Sequence, residues 1–441
     1  MLPLPRIALG TVQPNADLAP LSWALLDSLE VAGFHTQSFC SQAYLSPVSG
    51  ARCITGQSQR HLDSWVMSKT TCREIFQHGS RASDLSLVEG RFTTASNHAQ
   101  RSSLENLCEW LDLPAIAIID VRQLSNCVLP KLPPGTVGML LDGVRDTASA
   151  CRWQTSLETL LGVPMLGYLD EATRLRELVH QRISGSPCQE LCRALGRKLR
   201  ASLRIDKLLK VAQARMLAAS PQRLFVRNEG HDTIKIAVAF DDAFQGYFAD
   251  TLDLMEARGA TICDFSPLRG DALPWDANVV YLAGNTTEQF AEGLAKNHCM
   301  KQSLRNFVAR GGRIFAEGGG YAYLCERLIT ADGRQHVMAG LLPAVAIAKP
   351  ATSAAQPVEI TFNQNNWLGE TGTAVRGYLD NHWDILPAPG LNSFATDPDH
   401  CHDFVGSARI IASRLQVNFA GQPHLVNSFF CPRLGALVGV D

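Results

Sequence analysis

The sequence predicts an α/β protein built from two doubly wound domains, and three observations lead to that prediction. Short, continuous apolar runs alternate with stretches whose apolar residues recur at helical spacing, which is typical of parallel strands buried between helices. The alternation occurs as two series, with a polar stretch over residues 221–232 between them. The third observation is a strand at Ile314 to Ala316 that turns through glycines directly into a helical pattern.

Composition narrows the class of protein. The chain of 441 residues is 46% hydrophobic and 19% charged, as in ordinary globular proteins. Its 40 basic and 42 acidic residues nearly balance, so nothing favours nucleic acid or an anionic membrane as a partner. No apolar run reaches the roughly 18 residues that span a bilayer, and the N-terminal stretch lacks the pattern of a signal peptide. We therefore expect a cytoplasmic protein whose scattered cysteines are reduced.

The first series predicts six strands separated by helical patterns. The strands are expected at Arg6 to Gly10, Phe34 to Phe39, Asp84 to Gly90, Ala115 to Asp120, Thr136 to Leu141 and Val163 to Tyr168. A helix over Pro20 to Ala32 follows the first strand and ends at Gly33. Residues 171–219 are helical in pattern and rich in Arg and Leu. We place the first domain at residues 1–195 and a helical linker at residues 196–232.

The second series occupies residues 233–441. Its strands are expected at Ile234 to Phe240, Thr261 to Phe265 and Asn278 to Leu282, with shorter β-like pieces at Val358 to Thr361, Ala374 to Tyr378, Ala408 to Ala412 and Leu415 to Phe419. Helices are expected over Gly246 to Arg258 and Thr287 to Arg310.

The glycine turn of the second series lies between a strand that begins at Arg313 and a helix that we expect to reach about Leu328. In α/β enzymes such a turn presents a nucleophile, and the helix N-terminus offers N–H donors to a developing oxyanion. Here the turn residue is Gly318, which has no side chain. Cys325 follows seven residues later, and we interpret it as a core residue. The turn thus has the shape of a catalytic site without a nucleophile.

Several stretches share their order and spacing with one known family. They are Arg60 to Trp65 (R-N-L-D-S-W in the family), Leu87 to Gly90 (V-E-G), Phe265 to Pro274 (F-S-P-L-x-D-x-x-L-P), Ala316 to Leu324 (A-E-C-G-G-x-x-Y-L), Met338 to Pro343 (M-x-G-L-L-P) and Arg376 to Tyr378 (R-G-H/Y). Through them the chain resembles the cobyrinic acid a,c-diamide synthases over nearly its whole length. The resemblance implies a P-loop domain, similar to dethiobiotin synthetase, that activates a tetrapyrrole carboxylate with ATP. It also implies a class I glutamine amidotransferase domain that releases ammonia from glutamine.

The phosphate loop departs from the family's G-T-x-S-x-x-G-K-T. Gly10 and Thr11 are kept, but Asp17 stands in place of the lysine that reaches the β- and γ-phosphates. Leu18 replaces the hydroxyl that holds Mg²⁺, and Ala16 replaces the second glycine. A carboxylate repels a triphosphate, so we predict a degenerate loop, no nucleotide bound in the family manner and no cofactor. The alternative is that another loop binds the nucleotide.

A second loop has lost its charges. The family's P-F-K-V-G-P-D-Y-I-D-P reads here from Gln37 to Pro47, with Tyr44 and Pro47 kept. Its lysine is Phe39, and its two aspartates are Ala43 and Ser46.

The amidotransferase half lacks the family's reacting groups. Gly318 stands where the nucleophilic cysteine would be. The family's histidine base lies in a late A-S-Y-x-H-x-H-F segment, which we match to Asn427 to Arg433, so that the base position falls near Cys431. Because hydrolysis of glutamine needs a thiol with a base in reach, we predict no catalytic residue.

Binding candidates come from the segments that resemble the family's substrate and metal sites. They are Tyr44, Arg60, Asp63, Trp65 and Glu89. Glu89 matches the family's metal-site glutamate, but its co-ligands are absent. Cys401 and His402, with His400 nearby, could hold a metal, but they lack the paired spacing of zinc sites. His382, or His400 with His402, could ligate a tetrapyrrole metal axially, but surface histidines in loops are common. We predict no metal site.

These observations leave several functions open. The first hypothesis is a catalytically degenerate homologue that binds a tetrapyrrole-type ligand or an active partner subunit, as a homodimer or as a heteromer with an active paralogue or a pathway enzyme. The second is ATP- and ammonia-dependent amidation of tetrapyrrole carboxylates. The third is a scaffold or regulatory subunit with no small ligand. The first is favoured because both chemical centres are altered while the structural motifs remain.

Overall fold

The chain forms two compact units, Met1–Arg223 and Leu224–Asp441, here called unit 1 and unit 2. A computed structural model describes residues 3–46, 50–92, 102–124, 129–181, 189–213, 215–221, 223–227, 234–284, 286–349, 355–379, 381–396 and 402–430. Each unit has a mainly parallel sheet covered by helices, so the predicted fold of two doubly wound α/β units is confirmed.

Unit 1 contains one sheet of seven parallel strands. The strands are β1 (Arg6–Thr11), β2 (Thr36–Cys40), β3 (Arg60–His61), β4 (Leu85–Arg91), β5 (Ala115–Asp120), β6 (Thr136–Val144) and β7 (Met165–Asp170). Their order is β3-β2-β4-β1-β5-β6-β7. Because β1 lies at the centre, the loop that follows it reaches the carboxyl edge of the sheet between β4 and β5.

The helices of unit 1 cover both faces of this sheet. They are α1 (Ala19–Val31), α2 (Ala51–Thr55), α3 (Lys69–Gly79), α4 (Leu104–Leu111), α5 (Thr147–Leu161), α6 (Thr173–Gln181), α7 (Gln189–Arg200) and α8 (Ile205–Gln213). Leu199 of α7 and Leu208 of α8 are buried in the same core as Leu25 of α1. Residues 196–223, which we predicted as the start of a linker, therefore belong to unit 1, because their apolar faces complete its core.

Unit 2 has a larger and more varied β content. Its strands are β8 (Lys235–Ala239), β9 (Thr261–Phe265), β10 (Val279–Gly284), β11 (Arg313–Gly318), β12 (Cys325–Ile329), β13 (Gln335–Val337), β14 (Leu342–Ala348), β15 (Gln356–Thr361), β16 (Ala374–Leu379), β17 (Trp383–Pro387), β18 (Asn392–Thr396), β19 (His402–Gly406), β20 (Ile410–Ser413) and β21 (Leu415–Gln416). The main sheet has the order β18-β19-β20-β11-β10-β8-β9. Strands β20 to β9 in that order are parallel, while β18 and β19 pair antiparallel at one edge.

In the described residues of unit 2, two smaller sheets and five α-helices accompany the main sheet. The sheets have the orders β13-β12-β14-β17 and β15-β16-β21. The helices are α9 (Ala249–Ala257), α10 (Ala291–Lys296), α11 (His298–Ala309), α12 (Gly319–Leu324) and α13 (Pro423–Phe430). Among the described residues, no helix combines the length and the apolar character needed to cross a membrane.

Two predicted helices of unit 2 are wrong in extent. The helix expected over Thr287 to Arg310 is divided into a short 3-10 helix, α10 and α11, because Asn297 caps the start of α11 by accepting a hydrogen bond from the N–H of Met300 at 3.0 Å. The helix expected to reach Leu328 ends at Leu324. From Cys325 the chain pairs with β14 and β13 as a strand, so sheet contacts override the helical pattern.

Candidate functional site

The loop after β1 is closed by hydrogen bonds within unit 1. Gln13 is buried, and its Nε2 donates to the carbonyl of Asp120 at 3.0 Å. The N–H of Asp120 donates back to Gln13 Oε1 at 2.7 Å. Arg91 donates to the carbonyl of Pro14 at 2.6 Å. The first part of the loop is therefore tied to the strands on both sides of β1, to β5 through Gln13 and to β4 through Pro14.

Two of the substituted positions of the phosphate loop, Asp17 and Leu18, lie at the start of α1. Leu18 precedes the first turn without a side-chain cap, and Asp17 Oδ1 accepts from the N–H of Ala19 at 3.3 Å. The side-chain hydrogen bond of Asp120 is the largest cause that raises the pKa of Arg122, and the charge of Asp17 acts in the same direction. The charge of Asp17 therefore acts on the arrangement of charged side chains around Arg122 at the carboxyl edge.

That arrangement continues onto β6. Arg122 donates to both oxygens of Asp120, at 2.8 and 2.9 Å, and to Asp142 at 3.4 Å. Arg176 of α6 forms a bidentate pair with Asp142, which is fully buried. Burial raises the pKa of Asp142, and the charge of Arg176 opposes that rise. No motif in the sequence indicates this network, because its four side chains come from three separate segments of the chain.

Glu89 lies at the end of β4, where the resemblance placed a metal-site carboxylate. Ser22 of α1 donates to Oε2, and Gln59 Nε2 donates to Oε1 at 2.5 Å. Burial raises the pKa of Glu89, while these two hydrogen bonds lower it. With both oxygens engaged, and with a carboxylate at position 17, the residues present do not fit Mg²⁺-ATP held in the family manner.

The other binding candidates lie around the loop after β2. Asp63 is fully buried and accepts from the N–H groups of Ala43, Trp65 and Val66 at 2.9, 2.8 and 3.1 Å. Such contacts shape a turn, so Asp63 orders the loop that carries Tyr44. Trp65 and Tyr44 are half-buried in this region. The fifth candidate, Arg60, lies on β3, and Pro47 lies outside the described residues.

The glycine turn of unit 2 keeps a strained backbone. Gly318 ends β11 and caps α12 with φ of +50° and ψ of −116°, which non-glycine residues rarely adopt. Gly284 of β10 lies directly beside it in the sheet. A Cβ at Gly320 would lie 2.1 Å from the carbonyl oxygen of Leu282, so the helix meets β10 without room for a side chain. Strained nucleophile turns in α/β enzymes share this design, but Gly318 is buried and has no reacting group.

The residue before the turn is a buried acid. Glu317 accepts from Tyr281 Oη at 2.7 Å through Oε1 and from the N–H of Val417 at 3.1 Å through Oε2. Burial raises the pKa of Glu317 to about 8, although both hydrogen bonds lower it. The carboxyl group thus ties β11 to the chain that follows β21.

The strand beside the turn carries a second match to the family's A-S-Y-x-H-x-H-F. Ala412 and Ser413 end β20, which pairs with β11 at Glu317, and Phe419 follows at the motif spacing. Gln416 and Asn418 then stand where the motif has its two histidines, and both are buried. The spacing from Ala412 to Phe419 is the signal by which the sequence alone could have located these two residues. The match predicted near Cys431 lies outside the described residues.

The other residues considered as a nucleophile or as metal ligands make contacts that are ordinary for side chains of a folded domain. Cys325 is buried at the start of β12, and burial raises its pKa, as expected for a core thiol. His382 Nε2 lies 3.1 Å from Glu288 and its ring stacks edge-on against Trp383. His402 is exposed on β19, while His400 and Cys401 lie outside the described residues. Over the described part of the chain, no group of at least three His, Cys, Asp or Glu side chains is placed to hold a metal.

The chain is similar in sequence to one family of known proteins. Residues 235–382 match the model of the CobB/CobQ-like glutamine amidotransferase domain. The cobyrinate a,c-diamide synthase of Dehalococcoides mccartyi is 28% identical over 96% of this chain and 97% of its own. The cobyrinate a,c-diamide synthase of Syntrophotalea carbinolica is 26% identical over 97% and 98%. That of Priestia megaterium is 27% identical over 85% and 84%.

Proposed function

We propose that this chain, which belongs to the family of the cobyrinate a,c-diamide synthases, is a binding protein that no longer performs glutamine-dependent amidation. The observation that carries the proposal is Gly318, which occupies the strained turn of β11 and α12 without a thiol. A nucleophile and a base are both needed to hydrolyse an amide. The chain offers the amides Gln416 and Asn418 beside the turn, and neither takes up a proton at neutral pH.

The ligand class follows from the relatives. They are named for cobyrinate, a polycarboxylate tetrapyrrole, and they align with this chain over nearly its whole length. The candidate contacts are Tyr44, Arg60 and Trp65, with Asp63 ordering the loop. An active partner subunit is the other candidate for what the fold binds.

Glutamine turnover tests the loss of chemistry directly. The unmodified protein and Gly318→Cys are expected to release no ammonia from glutamine, because the thiol alone lacks a base. The combined change Gly318→Cys, Gln416→His and Asn418→His supplies both groups, and release is expected to rise above that of Gly318→Cys. Turnover by the unmodified protein would overturn the proposal. Turnover by Gly318→Cys alone would show that a base lies elsewhere, for instance near Cys431.

Ligand binding is tested by titrating cobyrinate into the protein and following its visible spectrum. A saturable spectral change that is lost in Trp65→Ala supports a tetrapyrrole site in unit 1. No spectral change, together with a stoichiometric protein that co-purifies, would favour a scaffold without a small ligand.

Amidation with free ammonia is a second candidate, favoured by the near full-length similarity to synthases. It requires nucleotide, so calorimetry with ATP and Mg²⁺ separates it from the first. Saturable ATP binding together with ammonia-dependent amidation of cobyrinate would establish it.

A further inference from the structure

We propose that the carboxyl edge of the unit 1 sheet is locked by its own side chains, with Gln13 as the positioning residue that holds the β1–α1 loop in place of a ligand. The lock consists of Gln13, Gln59, Arg122 and Arg176. This inference adds to the proposed function. It rests on that function in one respect, namely that unit 1 performs no nucleotide chemistry.

Gln13 extends the β1–β5 ladder beyond its last backbone pair. The two strands pair as far as Thr11 with Ile118. Beyond that point the backbone of β1 turns away, and the N–H and C=O of Asp120 need other partners on that side. The side-chain amide of Gln13 supplies both partners. Its Oε1 accepts from the N–H of Asp120 at 2.7 Å, and its Nε2 donates to the carbonyl of Asp120 at 3.0 Å. Because buried backbone groups are costly to leave unpaired, this side chain fixes where the loop lies.

Charge pairing closes the edge next to the loop. Asp120 pairs with Arg122, and Asp142 pairs with Arg176, which is only 6% exposed. A Cβ at Gly143 would lie 2.4 Å from Arg122 Nε, so Arg122 lies directly against the β6 backbone. A phosphate near Asp17 would meet a carboxylate, and a divalent cation would have to displace an arginine from a buried pair. Removing one partner of such a pair is strongly unfavourable.

The carboxylate on the other side of β1 is also engaged. Gln59 Nε2 contacts Ser38 Oγ at 3.1 Å as well as Glu89 Oε1 at 2.5 Å, so it joins β2 and β4 through the acid. Ser22, one turn into α1, holds the second oxygen. The helix that would carry phosphate ligands is thereby fastened to β4 by a side-chain contact. All of these contacts are made by side chains of unit 1 itself.

Hydrogen–deuterium exchange of the full chain tests the lock. In Gln13→Leu, which keeps the size but removes both hydrogen bonds, the amides of residues 12–18 other than Pro14, and that of Asp120, are expected to exchange about tenfold faster. Gln13→Glu keeps the acceptor and loses the donor, so its increase should be smaller. Gln213→Leu, on an exposed face of α8, is the matched control and should exchange as the unmodified protein does. Amides of β5 before Asp120 report whether each variant is folded.

The same measurement with MgATP and with MgCl₂ alone completes the test. Unchanged exchange of residues 12–18 in the unmodified protein supports the lock, and protection by either additive overturns it. Equal exchange in Gln13→Leu and the control also overturns it. Glutamine turnover by the unmodified protein would overturn the proposed function but would not alter the exchange expected for Gln13→Leu. Failure of the proposed function and failure of the lock are therefore distinguishable.

Discussion

At the scale of single residues, Glu317 is an acid held in the core of unit 2, directly before the glycine turn at Gly318. Its oxygens accept from Tyr281 and Val417, and burial raises its pKa to about 8. The unfolded chain ionises near the ordinary glutamate value, so between about pH 5 and 8 folding takes up a proton. Stability is therefore expected to fall as pH rises through this window, by up to about 1.4 kcal/mol per pH unit.

Glu317→Gln removes this titration while keeping the size of the side chain. Its amide can accept from Val417 and donate to Tyr281 Oη, so the hydrogen bonds survive. The variant is expected to gain stability relative to the unmodified protein as pH rises from 5 to 8, with little difference at pH 5. Urea denaturation at several pH values measures this. A parallel pH dependence in both proteins would show that Glu317 is ionised in the folded state.

Gly320 tests how closely α12 approaches the sheet. A Cβ there would lie 2.1 Å from the Leu282 carbonyl oxygen, which is backbone and cannot swing away. Gly320→Ala is expected to lower the free energy of unfolding by about 3 kcal/mol. Gly293→Ala, inside α10, meets only the flexible end of Leu268 at 3.3 Å and should be neutral or about 0.5 kcal/mol more stable. If chemical denaturation showed the same change in unfolding free energy for Gly320→Ala and Gly293→Ala, the argument that α12 packs tightly on β10 would be contradicted.

At the scale of elements, the sequence predicted strands more reliably than contacts between segments. Apolar runs located the central strands of both sheets, and the turn at Gly318 was predicted from glycines between a strand pattern and a helical pattern. The end of α12 was missed because pairing of Cys325 with β14 is a property of the folded sheet. The Gln13–Asp120 contact was also missed, since it joins residues 107 positions apart in the chain.

A cation contacts the C-terminal end of α13. Arg313, at the start of β11, donates to the carbonyls of Ser428 and Phe429 at 3.0 and 2.6 Å. Its guanidinium lies 5.2 Å from the ring centroid of Trp367. A cation at carbonyls near a helix C-terminus is favourable, and the aromatic face adds to it.

Arg313→Met keeps much of the apolar stem and removes these interactions. We expect a loss of about 2 kcal/mol in unfolding free energy, because donors to two partly buried carbonyls are removed. Arg269→Met, at an exposed loop position, should stay within about 0.5 kcal/mol of the unmodified protein. Thermal denaturation of both variants makes the comparison. If the two substitutions are equally mild, Arg313 does not hold α13.

At the scale of the whole molecule, each unit has an apolar core of its own. One core joins β1, β4 and β5 to α1 and α7, and the other joins β10 and β11 to α11, α12 and β14. A unit of about 200 residues is long enough to bury a sufficient core by itself. Division at Arg223 therefore separates two compact units.

Two separate polypeptides, residues 1–223 and 224–441, are expected to fold independently, each with a cooperative thermal transition and native-like circular dichroism. A division after Gly311 provides the control, because it cuts the chain just before β11, the strand between β10 and β20. The fragment 224–311 then lacks the centre of its sheet and should show no cooperative transition. If residues 1–223 likewise lacked a transition, unit 1 would depend on unit 2, and its internally paired carboxyl edge would not suffice to order it.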